Sequence, residues 1–148
     1  MSASPVIIVT PKKPLSYNSQ RKLRYQAFLA NEAGASITTP MTGQLYSKAY
    51  YFYRGKSDID ADNLSKPILD AFKGVVFRDD AQVVLRVAAK ISVETDTFEL
   101  IQDGMPPALY QSLVDLIAVQ QHILYIEVGA LDGFRLNLGS ERMEELSW

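Results

Sequence analysis

The stretch of sequence that decides the fold runs from Asp58 to Val84 and reads DIDADNLSKPILDAFKGVVFRDDAQVV. Its middle part carries apolar residues at intervals of three and four, which is the periodicity of an amphipathic helix, and Gly74 is a typical helix end. We therefore predict a helix from about Asp62 to Lys73 with one buried face. The residues of that face are Leu64, Ile68, Ala71, Phe72 and Val75.

A strongly alternating segment follows this helix, from Val83 to Val93. Every second residue in it is apolar, which predicts a strand with one face in the core. The opposite parity carries Asp80, Gln82, Arg86 and Lys90, so we expect that face to be polar and to look toward a ligand.

The flanking sequence predicts further strands at residues 5–10, 45–54, 98–101 and 123–128. It also predicts a helix from Asn18 or Ser19 to about Ala33, and another from Pro106 or Pro107 to about Gln121. The expected fold is a single α/β (α+β) domain over residues 1–148, a small mixed sheet with helices packed on one face.

The composition of the chain excludes several kinds of site. The chain has no cysteine, which excludes disulfides, thiolate zinc sites and a cysteine nucleophile. No apolar stretch approaches the roughly 18 residues of a membrane span, so we expect a cytoplasmic protein without a membrane partner. His122, the one histidine, begins a predicted strand far from the acidic residues in sequence and is interpreted as structural.

Charge is distributed unevenly along the chain. Residues 1–56 hold eight basic residues and one acidic residue, although the whole chain has a net charge of −2. This part is a candidate DNA-binding surface, unless folding mixes the charges or a partner subunit covers them. Lys48 and Arg54 could bind the phosphate backbone of DNA, and Tyr50 between them could stack on an unpaired base. The alternative is that these residues belong to the core or to a dimer interface. The candidate DNA-contacting cations are Lys12, Lys13, Arg21, Arg24, Lys48, Arg54 and Lys56.

Carboxylates flank the central helix at both ends. Asp60 and Asp62 are two residues apart, so in an extended segment they project to the same side, and Asp80 would come from the neighbouring strand. Two or three carboxylates from separate segments can hold a hard cation such as magnesium and leave room for a phosphate.

Structural interpretations of the same acids stay open at this point. Asp62 is a good helix N-cap, and Asp62, Lys66 and Asp70 have the spacing of a surface ion-pair ladder. Asp79 and Asp80 fit a solvated turn. An EF-hand is excluded because its sixth position is Asn63 and its twelfth is Leu69.

The order and spacing of these residues resemble the signature of the RusA family of Holliday-junction resolvases. The resemblance rests on Asp60-x-Asp62-Asn63-Leu64-x-Lys66, then Asp70-Ala71, then Asp79-Asp80-Ala81-Gln82-Val83-Val84. Pro14-x-Ser16-x-Asn18 is similar to a proline- and asparagine-bearing segment near the start of that family.

The resemblance implies a homodimer that nicks four-way DNA junctions in pairs, with Mg²⁺ or Mn²⁺ as cofactor. It implies that Asp60, Asp62 and Asp80 are catalytic metal ligands and that Lys66 is the essential catalytic base. Asn63 would orient Asp60 or touch DNA, and Asp79 would support the metal ligands. A non-catalytic branched-DNA-binding or protein-interaction module with the same fold is the alternative.

Two features depart from the family pattern. The family tends to be basic, whereas this chain is acidic from Ile91 onward, with ten acidic residues against Arg135 and Arg142. Residues 96–121 look like an insertion where a short hairpin connection is expected. Pro67 should lie in the first turn of its helix, because a deeper proline costs about 3 kcal/mol. The helix would then start late and leave Asp60 and Asp62 in the preceding loop.

Overall fold

The computed structural model describes residues 4–16, 20–136 and 138–139. The described residues form strands and helices in the order β1 (Val6–Thr10), α1 (Lys22–Gly34), β2 (Leu45–Tyr53), α2 (Ala61–Phe72), β3 (Val83–Ser92), α3 (Pro107–Val119) and β4 (His122–Ala130). The predicted start of the first helix at Asn18 or Ser19 lies outside the described residues, and α1 begins at Lys22.

The strands form one mixed sheet in the order β1-β4-β2-β3. β4 is antiparallel to β1 and β2, whereas β2 and β3 are parallel, with Ala49 opposite Ala88. Parallel neighbours need a crossover connection, and α2 supplies it. We call the end of the sheet at Tyr53 and Ser92 the upper end and the end at Leu45 and Val83 the lower end. The predicted small mixed sheet is confirmed.

The larger core lies between one face of the sheet and helices α1 and α2. Ala49 and Tyr51 of β2 and Leu124 and Ile126 of β4 supply the sheet side of this core. The α2 side is the predicted apolar stripe, with Leu64, Ile68 and Phe72 at 1% exposure or less. The helices run side by side in the same direction: Gln26 Nε2 of α1 donates to the Pro67 carbonyl of α2 at 3.1 Å, and Gly34 at the end of α1 lies beside Val75, just after α2.

The third helix packs on the opposite face of the sheet. Leu113 and Ile117 of α3 contact a separate cluster with Phe52, Ile123 and Tyr125. The prediction that the helices share one face is therefore wrong. The side chains of β2 and β4 that form this second face alternate along each strand with those of the larger core, because neighbouring side chains of a strand point to opposite faces.

The predicted strand at Phe98–Ile101 is absent from the structure, where residues 97–102 have no regular secondary structure. The apolar residues of this segment pack on the α3 side of the sheet instead. The Phe98 ring lies 5.6 Å from the Phe52 ring, and Leu100 joins the same cluster. The run forms no strand, and it is only partly covered, since Phe98 stays 37% and Ile101 65% exposed. None of the described helices has the length and apolar character that a membrane span requires.

β3 is the predicted alternating strand, but it lies at the edge of the sheet with β2 as its one neighbour among the described strands. Its apolar residues Leu85, Val87 and Ile91 are consequently only half-buried. Asp80 and Gln82 do not belong to the strand, because they form a turn of 3-10 helix before it.

His122 begins β4 and contacts Tyr51 of the neighbouring strand. Its Nδ1 lies 2.7 Å from the Tyr51 hydroxyl, and the two rings stack at 5.9 Å. Burial lowers the pKa of His122 from 6.5, nearby Lys13 adds to this, and Asp58 opposes it. These contacts give His122 a structural role in joining β4 to β2.

Replacing Gly129 with alanine should destabilise the fold. A Cβ at this position would lie 2.7 Å from the Tyr46 ring on the adjacent strand. We expect Gly129→Ala to cost about 1–3 kcal/mol of unfolding free energy, because the ring has to shift within a packed sheet. Urea unfolding measures this. The control is Gly133→Ala, where a Cβ meets open space, and equal stability of the two variants would contradict the packing.

The His122 environment makes stability pH-dependent. Since the folded state resists protonation of His122 and the unfolded state does not, stability should fall as pH drops through 6.5 toward the lower folded pKa. His122→Asn keeps a polar partner for Tyr51 and should remove that part of the slope. Thermal unfolding between pH about 8 and 5 tests this, and parallel profiles for the two proteins would refute it.

Candidate active site and nucleic-acid interface

The acidic motif begins where α2 begins. Asp60 is the N-cap residue, with extended backbone (φ −84°, ψ 154°), and Asp62 lies in the first helical turn. The expectation that Asp62 stays in the preceding loop is wrong, and so is the placement of Pro67, which lies inside the helix. The helix accommodates that proline in its interior despite the cost. Pro67 is buried and its carbonyl accepts a hydrogen bond from Gln26, so it contributes to the packing of α2 against α1.

The motif residues of α2 are presented to solvent. Asp60, Asp62, Asn63 and Lys66 are all exposed, while Leu64 and Ser65 between them are buried. Asp62 and Lys66 are one turn apart and therefore lie on the same side of the helix. The amphipathic pattern of α2 holds one face in the core and thereby fixes the direction of these polar side chains.

The second acidic pair lies at the lower end of the sheet. The Asp79 carboxylate caps the 3-10 turn and accepts a hydrogen bond from the Ala81 N–H at 3.0 Å. Gln82 completes a capping box, and its amide also donates to the carbonyls of Met41 and Gly43. The Ala81 hydrogen bond, followed by one with Asp80, lowers the pKa of Asp79. Asp79 thus organises the turn that carries the half-exposed Asp80.

The two acidic segments do not meet within one chain. α2 separates them, and its 12 residues correspond to roughly 18 Å of helix. Among the described residues no three carboxylate or histidine side chains are grouped so that they could hold a metal ion. The carboxylates of a single chain therefore do not fit the predicted three-ligand metal site.

Basic side chains surround the upper end of the sheet. Lys12 and Lys13 follow β1, Arg21 and Arg24 lie at the start of α1, and Lys56 lies in the loop before α2. Lys13 Nζ lies 3.6 Å from Asp58 Oδ1, which ties the first loop to the acidic motif. The amino ends of α1 and α2 point the same way and add partial positive charge. The upper end therefore carries basic side chains around Asp60 and Asp62, together with the acids Asp58, Glu94 and Asp96.

Two of the predicted DNA-contacting cations lie elsewhere. Arg54 Nη2 donates to the Ile117 carbonyl at 2.6 Å and so anchors α3 to the sheet. Lys48 lies on the α3 face, with its Nζ 5.7 Å from the centre of the Tyr46 ring. Tyr50 shares this face, but its ring already stacks on Tyr125 at 5.6 Å. Lys48 and Tyr50 are thus separated from the acidic motif by the sheet, whereas Arg54 follows the upper end of β2 and its side chain is bound to α3.

A groove of about 800 Å³ lies on the α3 face, between the sheet and the segment that precedes α3. Its polar centre is Glu127, which accepts hydrogen bonds from the hydroxyls of Tyr46 and Tyr125. Burial, followed by the interactions with Glu127, raises the pKa of both tyrosines, so both donate at neutral pH. The sequence analysis missed this cluster. The alternation Tyr46-x-Lys48-x-Tyr50 with Tyr125-x-Glu127 was the available signal.

A family model described as endodeoxyribonuclease RusA matches residues 7–99. This range covers well over half of the chain and contains the whole acidic motif from Asp58 to Asp80. No curated protein sequence matches the chain.

Asp79 should be needed for the stability of its turn. Asp79→Ala removes the cap of the 3-10 turn and should lower the free energy of unfolding. Asp79→Asn keeps an acceptor oxygen and should cost less. Urea unfolding of the two variants compares them, and an alanine variant as stable as wild type would contradict the capping role.

Proposed function

Because the chain belongs to the RusA family of endodeoxyribonucleases, we propose that it hydrolyses phosphodiester bonds in branched DNA, with the four-way Holliday junction as substrate. The observation that carries the proposal is the exposure of Asp60, Asp62 and Lys66 on one solvent-facing helix end within the matched region. The biological setting would be DNA recombination and repair.

The DNA backbone would approach the upper end of the sheet. Cations there neutralise phosphates, and release of counterions from the DNA makes such binding strongly dependent on salt. Lys12, Lys13, Arg21, Arg24 and Lys56 form the proposed contact surface. They position the duplex arms without reading base sequence.

Lys66 is the proposed essential basic residue of the site. It lies one turn after Asp62 on the exposed side of α2, so its ammonium group could approach the scissile phosphate or the attacking water. Asn63, between them in sequence, would contact the DNA or orient Asp60.

A divalent cation is part of the proposal, with Mg²⁺ as cofactor and Mn²⁺ as its substitute. Asp60, Asp62 and Asp80 offer the hard oxygen ligands such ions prefer. When bound, the ion would stabilise phosphate charge and lower the pKa of a coordinated water. Since these three acids lie at both ends of α2, they could act together only after assembly with something beyond one chain.

The second candidate function is a non-catalytic branched-DNA-binding module. The separation of Asp60 and Asp62 from Asp80 favours it, because the described residues of one chain hold no complete carboxylate cluster. Such a protein would bind junctions more tightly at low salt and cleave in no divalent metal.

A synthetic four-way junction incubated with protein and Mg²⁺, Mn²⁺ or Ca²⁺ tests the proposal on a denaturing gel. We expect symmetric nicks with Mg²⁺ and Mn²⁺, and none with Ca²⁺ or with chelator. Asp62→Asn should lower the cleavage rate at least about 100-fold with the fold intact, because one carboxylate charge is lost from the site.

The matched control is Asp115→Asn. Asp115 is an exposed carboxylate on α3, on the other face of the sheet, and should be dispensable for cleavage. Junction binding without cleavage in any metal would establish the non-catalytic module instead.

A further inference from the structure

The groove on the α3 face has the composition of a ligand site. Its volume of about 800 Å³ lies in the range of pockets that hold small molecules. Such sites combine an apolar lining with a few polar groups that fix the ligand. The apolar walls come from β1, β2, the segment before α3 and α3 itself, and they include Ile7, Phe52, Leu100, Met105 and Leu113.

The polar group at the floor of the groove is the Glu127 carboxylate, and the sheet holds it in one position. The Tyr46 hydroxyl donates to one of its oxygens and the Tyr125 hydroxyl to the other. The Tyr46 ring lies against Gly129, where a Cβ would come within 2.7 Å of it. Tyr50 stacks on Tyr125 with the ring centres 5.6 Å apart. Each carboxylate oxygen keeps a lone pair for a further donor.

The basic residue nearest to this carboxylate in the sheet does not neutralise it. Lys48 lies directly opposite Glu127 on the adjacent strand. The Lys48 Nζ is placed over the Tyr46 ring, 5.7 Å from its centre, and it forms no ion pair with Glu127. The contact shows that a tyrosine ring of this groove attracts a cation, while the carboxylate has no cationic partner among the described residues.

Charges on the walls of the groove favour a positive ligand. Glu99 and Asp103 line the side formed by the segment before α3, and Lys48 and Arg86 lie on the side of the sheet. Together with Glu127 the lining has three carboxylates and two cationic groups. An anion would therefore meet more repulsion than attraction.

Two other classes of ligand do not suit the site. A metal ion needs ligands that converge, and the described residues contain no group of three acidic or histidine side chains that could hold one. A wholly apolar ligand would remove water from the Glu127 carboxylate without replacing its hydrogen bonds, which costs free energy. The ligand has to bring a charged donor together with apolar surface.

We propose that this groove binds an organic cation, a free amine of small-molecule size whose protonated nitrogen donates to Glu127. The charge-assisted hydrogen bond would use the lone pairs that Tyr46 and Tyr125 leave on the carboxylate. The apolar stem of the amine would lie along Phe52, Leu100 and the other apolar walls. A linear polyamine fits this description, because its further ammonium groups can interact with the acidic side of the groove.

Calorimetric titration of the protein with spermidine tests the proposal. Octanediol, an uncharged molecule of the same chain length, is the comparison. We expect saturable binding of spermidine at one site and no binding of octanediol. Equal binding of the two would show that apolar contact alone fills the groove, and either that result or no binding of spermidine would overturn the proposal.

Glu127→Gln removes the charge but keeps an acceptor oxygen and nearly the same size. It should weaken spermidine binding at least about tenfold, because hydrogen bonds to charged groups contribute about 1.5–3 kcal/mol. The matched control is Asp115→Asn, which removes an equal charge from the exposed surface of α3 outside the groove and should bind spermidine as wild type does. Equal weakening by both substitutions would show unspecific attraction to an acidic protein and overturn the site.

Lys48→Met should have the opposite effect on spermidine. Methionine keeps the apolar stem and removes a like charge beside the site, so spermidine should bind about two- to fivefold more tightly. An anionic ligand would bind this variant more weakly than wild type. Weaker spermidine binding to Lys48→Met would overturn the proposal, even if Glu127→Gln fails to fold.

Methyl NMR of the wild-type protein locates the site without any substitution. Spermidine should shift the methyl resonances of Met105 and Leu113, which line the groove. The methyl resonances of Leu29 and Ile68, in the larger core on the other face of the sheet, should stay in place. Shifts that leave Met105 and Leu113 unchanged would place the amine elsewhere and overturn the proposal.

A further probe separates a free amine from a cationic side chain of a protein partner. An acetylated tripeptide with a central arginine should bind more weakly than spermidine, because it carries one positive charge on a polar backbone. Tighter binding of the peptide would assign the groove to a protein partner. Release of monomers from a dimer on addition of spermidine, seen by light scattering, would assign it to a second copy of this chain. Either result would overturn the free amine.

The amine site is separate from the proposed nuclease centre. The groove lies on the α3 face of the sheet, whereas α2 with Asp60 and Asp62 packs on the opposite face. None of these measurements uses DNA cleavage, so their outcome does not depend on whether the protein nicks a junction.

Discussion

The parallel pairing of β2 with β3 is the constraint on which the rest of the structure depends. Parallel neighbours cannot be joined by a tight turn, so the chain returns through α2 over one face of the sheet. The burial of Leu64, Ile68 and Phe72 holds that helix in place. The same packing presents Asp62 and Lys66 to solvent and sends Asp80 to the far end of the sheet. The arrangement of the acidic residues is thus a consequence of the core.

Basic and acidic side chains lie together at the upper end of the sheet because strands end and helices begin there. β1 and β2 both end there, and α1 and α2 both begin there. The basic loops and the positive helix ends then surround Asp60 and Asp62, and the Lys13–Asp58 contact joins the two sets. A surface of this kind attracts phosphates while keeping carboxylates within it, which is the combination that phosphodiester hydrolysis requires.

The other face of the sheet is covered by α3, which lies beyond the family-matched residues 7–99. Arg54 binds the carbonyl end of α3, and Phe98 packs on Phe52, so residues 96–121 are integrated into the second core. The interpretation of this segment as an insertion stays a prediction. What the segment does structurally is to cover the face that α1 and α2 leave open, with the Glu127 groove beside it.

Local pattern in the sequence determined the helices, the strands of the sheet and the motif from Asp60 to Asp80, because side-chain periodicity and capping residues act over a few positions. Two local predictions were wrong. The short apolar run Phe98–Ile101 forms no strand, and Pro67 lies inside its helix although an interior proline is costly. Only the tertiary structure decided that α3 takes the second face, that Arg54 binds a carbonyl, that β3 is an edge strand among the described strands, and that Asp80 lies a helix length from Asp62. These outcomes depend on which distant segments pair, and spacing along the chain does not encode distance in space.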